Sequence, residues 1–507
     1  MSAPTQGAPV TRWALRMLIL GWVLLACAWV FGNPPFAAPD EADHFVRAVG
    51  IAEGHLVGFA APHARIGASL AEIAFDKGTQ RAVVVPARLD PTPFNCYLAN
   101  PLLTAGCLVR PTVKGPPVRL VTSVGAYPPV GLLAAAAVVR RGENALDADR
   151  LGRLAGMPVA VALLILAAVA LFQSADGWLS LAGILGACTP TAIFLAASMT
   201  PSGLSVSAGI ALTASLLRIG RPDLAPRWVW VLFGLSAGAL ALSHPTGIAW
   251  AILLIVGFVA SDGVGATRQR VRRQLRVALP GLGLLAAGIL ASLVWQTLYG
   301  PSTPLAYRAI PLALTHAPDQ YWDGVRDLVG GFGYLEFRLP LVVYLLWFVF
   351  VIGLAAAAVR VGRPREKLSV IAAAALAILV PVGLWTLFGR AVGTGLNGRE
   401  YMPLLVAFPL LAGEVVYRNR ARLSAMLLRT LAALACTTGV LQFIAWYLNG
   451  RRAAVGIAGS LLFPAHAQWS PPLGWIPWLL LAGAGALMLV IVSIAPLATA
   501  RRVTPSR

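Results

Sequence analysis

Charged side chains are scarce in this chain of 507 residues. Asp, Glu, Lys and Arg make up only 12% of it, whereas 58% of the residues are hydrophobic. Soluble domains carry about 25% charged residues. A chain of this size with about half that share cannot cover a globular surface with polar groups. The composition therefore excludes a soluble protein and a disordered one, and it indicates a protein that lies largely within a membrane.

Acidic residues are the scarcer of the two charge types, because 20 of them stand against 40 basic residues and the net charge is +20. The basic residues are 37 Arg and three Lys. In a soluble chain this excess would indicate an anionic partner. In a membrane protein it indicates which loops face the cytoplasm. The sequence has no basic patch interleaved with aromatic residues, so nucleic-acid binding is excluded.

Motifs for soluble cofactors are also missing. The sequence contains no Walker motif, no dinucleotide-binding fingerprint and no nucleophile elbow. His55, His63, His316 and His466 show no metal-ligand spacing. Of only five cysteines, Cys96 and Cys107 share one polar segment. A disulfide between them is predicted if that segment lies outside the cytoplasm.

Long apolar runs, in contrast, recur along the whole chain. A helix that crosses a bilayer needs about 20 mostly apolar residues. The candidate runs are 13–32, 152–172, 177–197, 203–219, 228–243, 246–261, 277–299, 340–359, 368–389, 401–417, 425–447 and 474–497. They predict an all-α polytopic membrane protein with about twelve transmembrane helices, or about eleven to thirteen, in one domain over 1–507. Residues 33–150 form a large loop between the first span and the remaining spans at 152–497.

The side on which each loop lies depends on residues 127–139, a short apolar run that begins YPP. If this run does not span, the Arg-rich loops and both chain ends fall on one side, which the positive-inside rule assigns to the cytoplasm. Those loops are 218–227, 267–276, 360–367 and 418–422. The large first loop is then extracytoplasmic, and the outer face carries 15 of the 20 acidic residues. We therefore expect 127–139 to lie at the outer surface or against the bundle.

The start of the large loop has the most distinctive local pattern. Prolines punctuate the exit from the first span, and apolar residues then recur at helical spacing, which predicts an amphipathic helix on the membrane surface. Asp40, Asp43, His44 and Arg47 share its polar face, with Glu41 beside that face. One interpretation is a capped helix with a solvated side. The other is a carboxylate pair that acts as a base or holds a divalent cation.

The run NPPFAAPDEADHF, which starts at Asn33, resembles the start of the bacterial membrane proteins grouped as the domain of unknown function 2142 family. Further segments resemble that family in the same order along most of the chain. They are YPPVG at 127–131, RLGRLAG at 150–156, TPTAIFLAASMTPSGL at 189–204, FGYLEFRLP at 332–340 and NGREYMPLL at 397–405. The family is in turn similar to the glycosyltransferase C superfamily. Members of that superfamily are multi-span bundles that use polyprenyl-phosphate-linked sugars and carry an acidic motif in the first outer loop.

This resemblance implies an inverting transfer of a sugar from a polyprenyl-phosphate-linked donor to an extracytoplasmic acceptor, which is a cell-envelope glycan, a lipid or a protein. The protein would then be a membrane glycosyltransferase of cell wall biogenesis. It would lie in a bacterial plasma membrane, with both termini cytoplasmic and the active site on the outer face. The resemblance implies no certain cofactor, and the use of a divalent cation is left open. The alternatives are a transporter or flippase of lipid-linked sugars and an inactive membrane scaffold.

The resemblance also assigns roles to individual residues. Asp40 matches the first-loop acid that activates the acceptor hydroxyl. Glu41 is a second catalytic candidate, and together these two acids are the only candidate metal ligands. The candidates for binding substrate are His44, Arg47, Tyr127, Glu336, Arg338, Arg399 and Tyr401. Arg399 is the first choice for the departing phosphate, because it lies where a span begins.

Two departures from the family pattern bear on these roles. Glu400 is inserted between Arg399 and Tyr401, which puts the match of Arg399 in question. The turn 198–203 has no carboxylate where many superfamily members carry a second acidic residue. A metal-independent mechanism is therefore favoured.

Overall fold

The computed structural model describes residues 10–61, 78–108, 114–172, 178–300, 317–392 and 397–500. Its helices are α1 (Val10–Gly32), α2 (Glu41–Ala52), α3 (Leu133–Ala136), α4 (Ala145–Leu171), α5 (Ala182–Ala187), α6 (Pro190–Ala196), α7 (Pro201–Ile219), α8 (Arg227–Ser243), α9 (Gly247–Asp262), α10 (Val264–Arg273), α11 (Leu275–Tyr299), α12 (Ala317–Gly330), α13 (Leu341–Val361), α14 (Pro364–Val392), α15 (Gly398–Leu405), α16 (Ala407–Arg418), α17 (Ala425–Val455) and α18 (Ile476–Ala500). Its short strands are β1 (Phe59–Ala60), β2 (Arg81–Val85), β3 (Val118–Thr122), β4 (Gly331–Phe332) and β5 (Phe337–Arg338). The predicted all-α polytopic fold is confirmed.

Nine of the described helical segments are long and apolar enough to cross a bilayer, and there are up to eleven spans if each of two bent pairs counts as one. The bent pairs are Leu179–Ala187 with Pro190–Ala196, at 71°, and α9 with α10, at 101°. Helix α8 is apolar but shorter. Each of the twelve predicted runs overlaps one of these segments.

The spanning helices pack pairwise along their lengths. Helix α1 packs against α18, α18 against α17, and α8 against both α7 and α11. A Cβ added at Gly288 would lie 2.4 Å from the Cα of Gly238, so the backbones of α8 and α11 meet through glycines. Small residues permit this close approach between membrane helices. Within the bilayer, helices associate through van der Waals packing, because the hydrophobic effect does not drive them together.

The Arg-rich loops meet at one end of the bundle. Gln274 Nε2 donates to the Ala225 carbonyl at 2.8 Å and joins the first two of these loops. Arg418 Nη2 donates to the Leu217 carbonyl at 3.2 Å, and Arg422 Nη1 donates to the last carbonyl of α13 at 3.1 Å. All four loops therefore lie together, as the expected order of spans requires.

Residues 127–139 lie at the opposite end of the bundle. They form only short helical turns, Pro129–Leu132 and α3, and neither is long enough to cross a bilayer. The turns pack against α4, α7 and α8. Trp295 Nε1 of α11 donates to the Ala126 carbonyl just before them, at 2.9 Å. This segment therefore rests against the bundle.

The large first loop builds a small core of its own. Strands β1, β2 and β3 form an antiparallel sheet in that order, and α2 packs against β2 and β3. Phe45 of α2 is buried in the same apolar cluster as Val83 and Val85 of β2. The sheet was not predicted, because none of its strands exceeds five residues. The expectation of a surface helix with a solvated polar side is wrong, since Glu41, His44 and Arg47 on α2 are also buried.

Cys96 and Cys107 of this loop form a disulfide, with Cα atoms 6.4 Å apart. Near them, Thr104 Oγ1 donates to Gln468 Oε1 at 2.8 Å, so the bridged segment rests on the loop before α18. Disulfides persist in oxidising compartments. The bridge agrees with an extracytoplasmic position of the first loop.

A buried ion pair fixes the first loop on the bundle. Arg153 of α4 donates to Glu41 from Nε at 2.8 Å and from Nη2 at 2.6 Å, and both side chains are fully buried. Arg153 Nη1 also donates to the Asn33 carbonyl at 2.8 Å. The Met199 amide donates to Glu41 Oε1 at 2.8 Å. One pair therefore joins the end of α1, the start of α2, α4 and the turn after α6.

Removing one partner of this pair is expected to destabilise the protein strongly. Arg153 also lies 2.9 Å from the fully buried Asp149, so Arg153→Met leaves two carboxylates, Glu41 and Asp149, buried without a cation. Loss of one partner costs about 3–5 kcal/mol in buried ion pairs. Arg140→Met is the matched control, because Arg140 lies 3.3 Å from Glu53 with its side chain 61% exposed, and such pairs contribute about 1 kcal/mol or less. Denaturant unfolding in detergent, followed by circular dichroism, measures both variants. Equal unfolding midpoints would contradict the prediction.

Candidate functional site

Asp40 lies at the junction between the end of α1 and the start of α2. Its φ of 57° is in the left-handed region, which a short polar side chain tolerates better than most. The carboxylate makes no hydrogen bond to the first turn of α2, and its side chain is 28% exposed. Asp40 is therefore the accessible acid of its motif, whereas Glu41 is fully buried.

Two side chains from distant parts of the chain hold this carboxylate. Arg399, the second residue of α15, donates from Nη2 to Asp40 Oδ2. Tyr334, in the tight turn between β4 and β5, donates its hydroxyl to Oδ1 at 3.0 Å. Tyr334 is not among the predicted site residues. The signal in the sequence that includes Tyr334 is the segment FGYLEFRLP at 332–340, and in the structure Gly333, with a φ of 64°, allows the turn.

Arg399 carries an unused donor beside Asp40. Its side chain is only 6% exposed, and Nη1 is buried with no hydrogen-bond partner among the described residues. A buried donor without a partner is unfavourable. A guanidinium also matches the geometry of a phosphate, because it offers several donors in one plane. The arrangement is therefore suited to bind an anion at Nη1.

The inserted Glu400 supports this arrangement. The Asn397 amide donates to Glu400 Oε2 at 3.0 Å, so the acid closes the first turn of α15 as in a capping box. The Gly398 amide donates to Asp327 Oδ2 at 3.3 Å, and Asp327 also pairs with Arg338 Nη1 at 2.8 Å. Arg338, a predicted substrate ligand, thus holds the acid that fixes the start of α15.

The two predicted tyrosines have different surroundings. Tyr401 is 2% exposed and packs against α12, where a Cβ added at Gly324 would lie 1.4 Å from its hydroxyl. Tyr127 instead faces His44 and His244, with ring centroids 6.3 Å and 4.8 Å away. Only Tyr127 therefore lies beside the residues around Asp40, and Tyr401 supports the packing of α15.

His44 lies near Asp40 but is neutral. Burial lowers the pKa of His44 to about 3; the Asp40 carboxylate opposes this effect and Arg399 adds to it. Its Nδ1 has no hydrogen-bond partner in the described part of the chain. A neutral imidazole brings no positive charge to a phosphate. The predicted substrate contact of His44 is therefore restricted to a hydrogen bond.

The carboxyl of Asp40 stays ionised at neutral pH. Burial by itself raises the pKa of Asp40, but the Arg399 guanidinium and the hydrogen bond from Tyr334 outweigh burial, and the pKa lies below its ordinary value. A base with a lowered pKa accepts a proton poorly. Asp40 is thus a weak base for as long as Arg399 is its partner.

Arg47 and Glu336 are engaged elsewhere. Arg47 is fully buried and donates from its guanidinium to the carbonyls of Tyr127, at 3.3 Å, and His55, at 3.4 Å. Glu336 pairs with Arg452, and the two side chains are 9% and 2% exposed. Both predicted substrate ligands are therefore occupied by protein partners, which argues against direct contact with substrate.

Glu41 and Asp40 do not share a site. The oxygens of Glu41 accept from Arg153 and the Met199 amide, whereas those of Asp40 face Arg399 and Tyr334. The predicted catalytic role of Glu41, and a cation held between the two acids, do not fit this geometry. Within the described ranges, no group of three or more His, Cys, Asp and Glu side chains is arranged to hold a metal ion.

Comparison with known proteins gives a family and several distant structures, two of which are described below. The family described as predicted membrane protein DUF2142 matches residues 23–408, and no curated protein matches the sequence. The crystal structure of ArnT from Cupriavidus metallidurans in the apo state is 14% identical, with a TM-score of 0.43 over 96% of this chain and 78% of that chain. The structure of ArnT from Cupriavidus metallidurans bound to undecaprenyl phosphate is 16% identical, with a TM-score of 0.43 over 98% and 82% of the two chains.

The pairing of Asp40 with Arg399 predicts that folding stability depends on pH differently in the native protein and in the Arg399→Gln variant. A carboxyl whose pKa is lowered by folding stabilises the protein above its unfolded pKa, about 3.9 for Asp, and this contribution is lost as the pH falls through the folded value. Arg399→Gln removes the cation, so burial should raise the pKa of Asp40. The variant should then gain stability relative to the native protein as the pH falls from about 7 to about 4.

Melting temperatures in detergent across this pH range measure the effect. The control is the double variant Asp40→Asn/Arg399→Gln, in which the part of the relative gain at low pH that the Asp40 carboxyl supplies should be lost. Identical pH profiles for the single and double variants would show that Asp40 is not the titrating group.

Proposed function

The chain belongs to the DUF2142 family of predicted membrane proteins, and we propose that it is a membrane glycosyltransferase. It transfers a sugar from a polyprenyl-phosphate-linked donor to an acceptor on the outer face of the membrane. One observation carries the proposal. An accessible carboxylate, Asp40, meets a guanidinium, Arg399, whose Nη1 lacks a partner among the described residues.

The reaction is a single displacement with inversion at the anomeric carbon. The acceptor hydroxyl oxygen forms a bond to that carbon while the bond from the carbon to the phosphate oxygen breaks. The hydroxyl proton passes to the Asp40 carboxylate, and the electron pair leaves with the lipid phosphate, which Arg399 stabilises. A general base contributes about 10²–10⁴-fold to the rate. The Arg399 guanidinium, fixed beside the negative charge that develops on the phosphate, raises the rate further.

The pairing of the two residues gives the reaction an order of events. A phosphate that binds Arg399 competes with Asp40 for the guanidinium. When Arg399 turns to the phosphate, the attraction that lowers the Asp40 pKa weakens, while burial still raises it. Asp40 therefore becomes a stronger base once the donor is bound.

The position of the pair suits a lipid-borne donor. Asp40 lies between the end of α1 and the start of α2, and Arg399 lies in the first turn of α15, where a candidate span begins. The phosphate of a membrane lipid lies at this level of the bilayer, while its chain stays in the hydrocarbon core. The Arg-rich loops lie at the other end of the bundle, and by the positive-inside rule this supports a position of Asp40 on the outer face.

Asp40→Asn is expected to abolish transfer. The amide keeps the shape of the side chain but takes up no proton, so the rate should fall by about 10²–10⁴-fold. The assay is transfer in vitro by the purified protein from a panel of undecaprenyl- and decaprenyl-phosphate sugars. Glu143→Gln, an exposed acid of the same loop, is the matched control and should keep full activity. Undiminished transfer by Asp40→Asn would exclude Asp40 as the base.

The orientation of the chain is tested by cysteine labelling in intact cells. Glu143→Cys should react with a thiol reagent that does not cross the membrane, because residue 143 lies on the proposed outer face. Gln269→Cys, in the Arg-rich helix α10, should react only after the cells are lysed. Labelling of residue 269 in intact cells would reverse the proposed orientation and remove the site from the outer face.

A further inference from the structure

A cavity of about 460 Å³ opens between α7, α9, α14 and the helices α15 and α16. It lies in the half of the bundle that carries the Arg-rich loops. Leu217 lines it near the end of α7, Ser261 near the end of α9 and Arg365 at the start of α14. Its volume is in the range of about 300–1,000 Å³ that is typical of ligand sites. It is distinct from the site around Asp40, none of whose residues lines it.

The walls of this cavity are apolar and open toward the lipid. Leu253, Leu368 and Leu376 line it and are 42%, 67% and 49% exposed, so the cavity is a groove on the side of the bundle. Along α14 it extends from Arg365 to Ala377, which at 1.5 Å per residue is about 18 Å. One leaflet of the hydrocarbon core is about 15 Å thick. The groove thus has the length of a lipid chain within a single leaflet.

A cation closes one end of the groove. Arg365 is the only charged side chain that lines it in the described part of the structure. Its guanidinium lies against the break between α9 and α10, where a Cβ added at Gly263 would be 2.7 Å from Nη2. Arg365 is exposed and has no side-chain ion pair within the described residues. An anionic head group is thus favoured at this end.

We propose that the groove binds an anionic glycerophospholipid of the leaflet on the Arg-rich side. An acyl chain lies along the apolar wall, and the phosphate contacts Arg365. The polyprenyl-phosphate donor is a poorer occupant, because its phosphate must reach Arg399, at the opposite end of the bundle. Among the residues that the structure describes, no charged side chain lines the end of the groove nearest to Arg399, which is formed by Leu376 and Leu404.

Native mass spectrometry of the purified full chain tests the head-group contact. Phosphatidylglycerol and phosphatidylcholine with the same acyl chains are added in turn, and the native protein should retain phosphatidylglycerol preferentially. Arg365→Ala should weaken retention of phosphatidylglycerol by about five-fold, because one Arg near the surface contributes about 1 kcal/mol. Arg363→Ala, an exposed cation two residues away that does not line the groove, should bind as the native protein does.

A second pair of variants tests the apolar wall. Ala373→Trp fills the groove and should abolish retention of phosphatidylglycerol, whereas Ala375→Trp, on the same helix but outside the lining, should leave it intact. Equal retention of the two lipids by the native protein, or unchanged binding in both Arg365→Ala and Ala373→Trp, would overturn the proposal. Displacement of phosphatidylglycerol by undecaprenyl phosphate would overturn it in favour of the carrier lipid. None of these outcomes depends on transferase activity.

Discussion

The buried pair between Glu41 and Arg153 is the contact on which the position of the site depends. Neither charge reaches solvent, and an unpaired charge in such surroundings is strongly destabilising. The pair therefore forces α4 and the start of α2 together, and the same guanidinium also holds the carbonyl of Asn33 at the end of the first span. Asp40 precedes Glu41 directly in the chain. Its place at the end of the bundle follows from this one interaction.

The two neighbouring acids have opposite surroundings for a geometric reason. The left-handed conformation of Asp40 turns the chain sharply before α2, so consecutive side chains leave in different directions. Glu41 enters the protein interior, where the amide of Met199 and Arg153 satisfy it. Asp40 faces Arg399 and stays partly exposed. Sequence proximity thus suggested a shared pair of carboxylates, but backbone conformation separates them.

Much of the fold follows from the sequence, because hydropathy locates each span and Arg-rich loops indicate which spans end on the same side. The motif likewise identifies Asp40, and the start of a span identifies Arg399. The contact between them joins residues 359 positions apart, and no local pattern predicts such a pairing. Tyr334 was missed for the same reason. The amphipathic pattern of α2 correctly indicated a helix but not its surroundings, because the first loop provides its own core.

Some residues that the resemblance identified do not touch Asp40. They still contribute to the site, because they position the groups that do. Arg338 holds the acid that receives the amide at the start of α15, which carries Arg399. Glu336 pairs with Arg452 and so fixes the turn that presents Tyr334. A carboxylate and a guanidinium act together only when both are held within hydrogen-bond reach, and a displacement of about 1 Å costs about 10²-fold in rate. A motif therefore marks residues that the geometry requires, whether they bind the substrate or hold the groups that do.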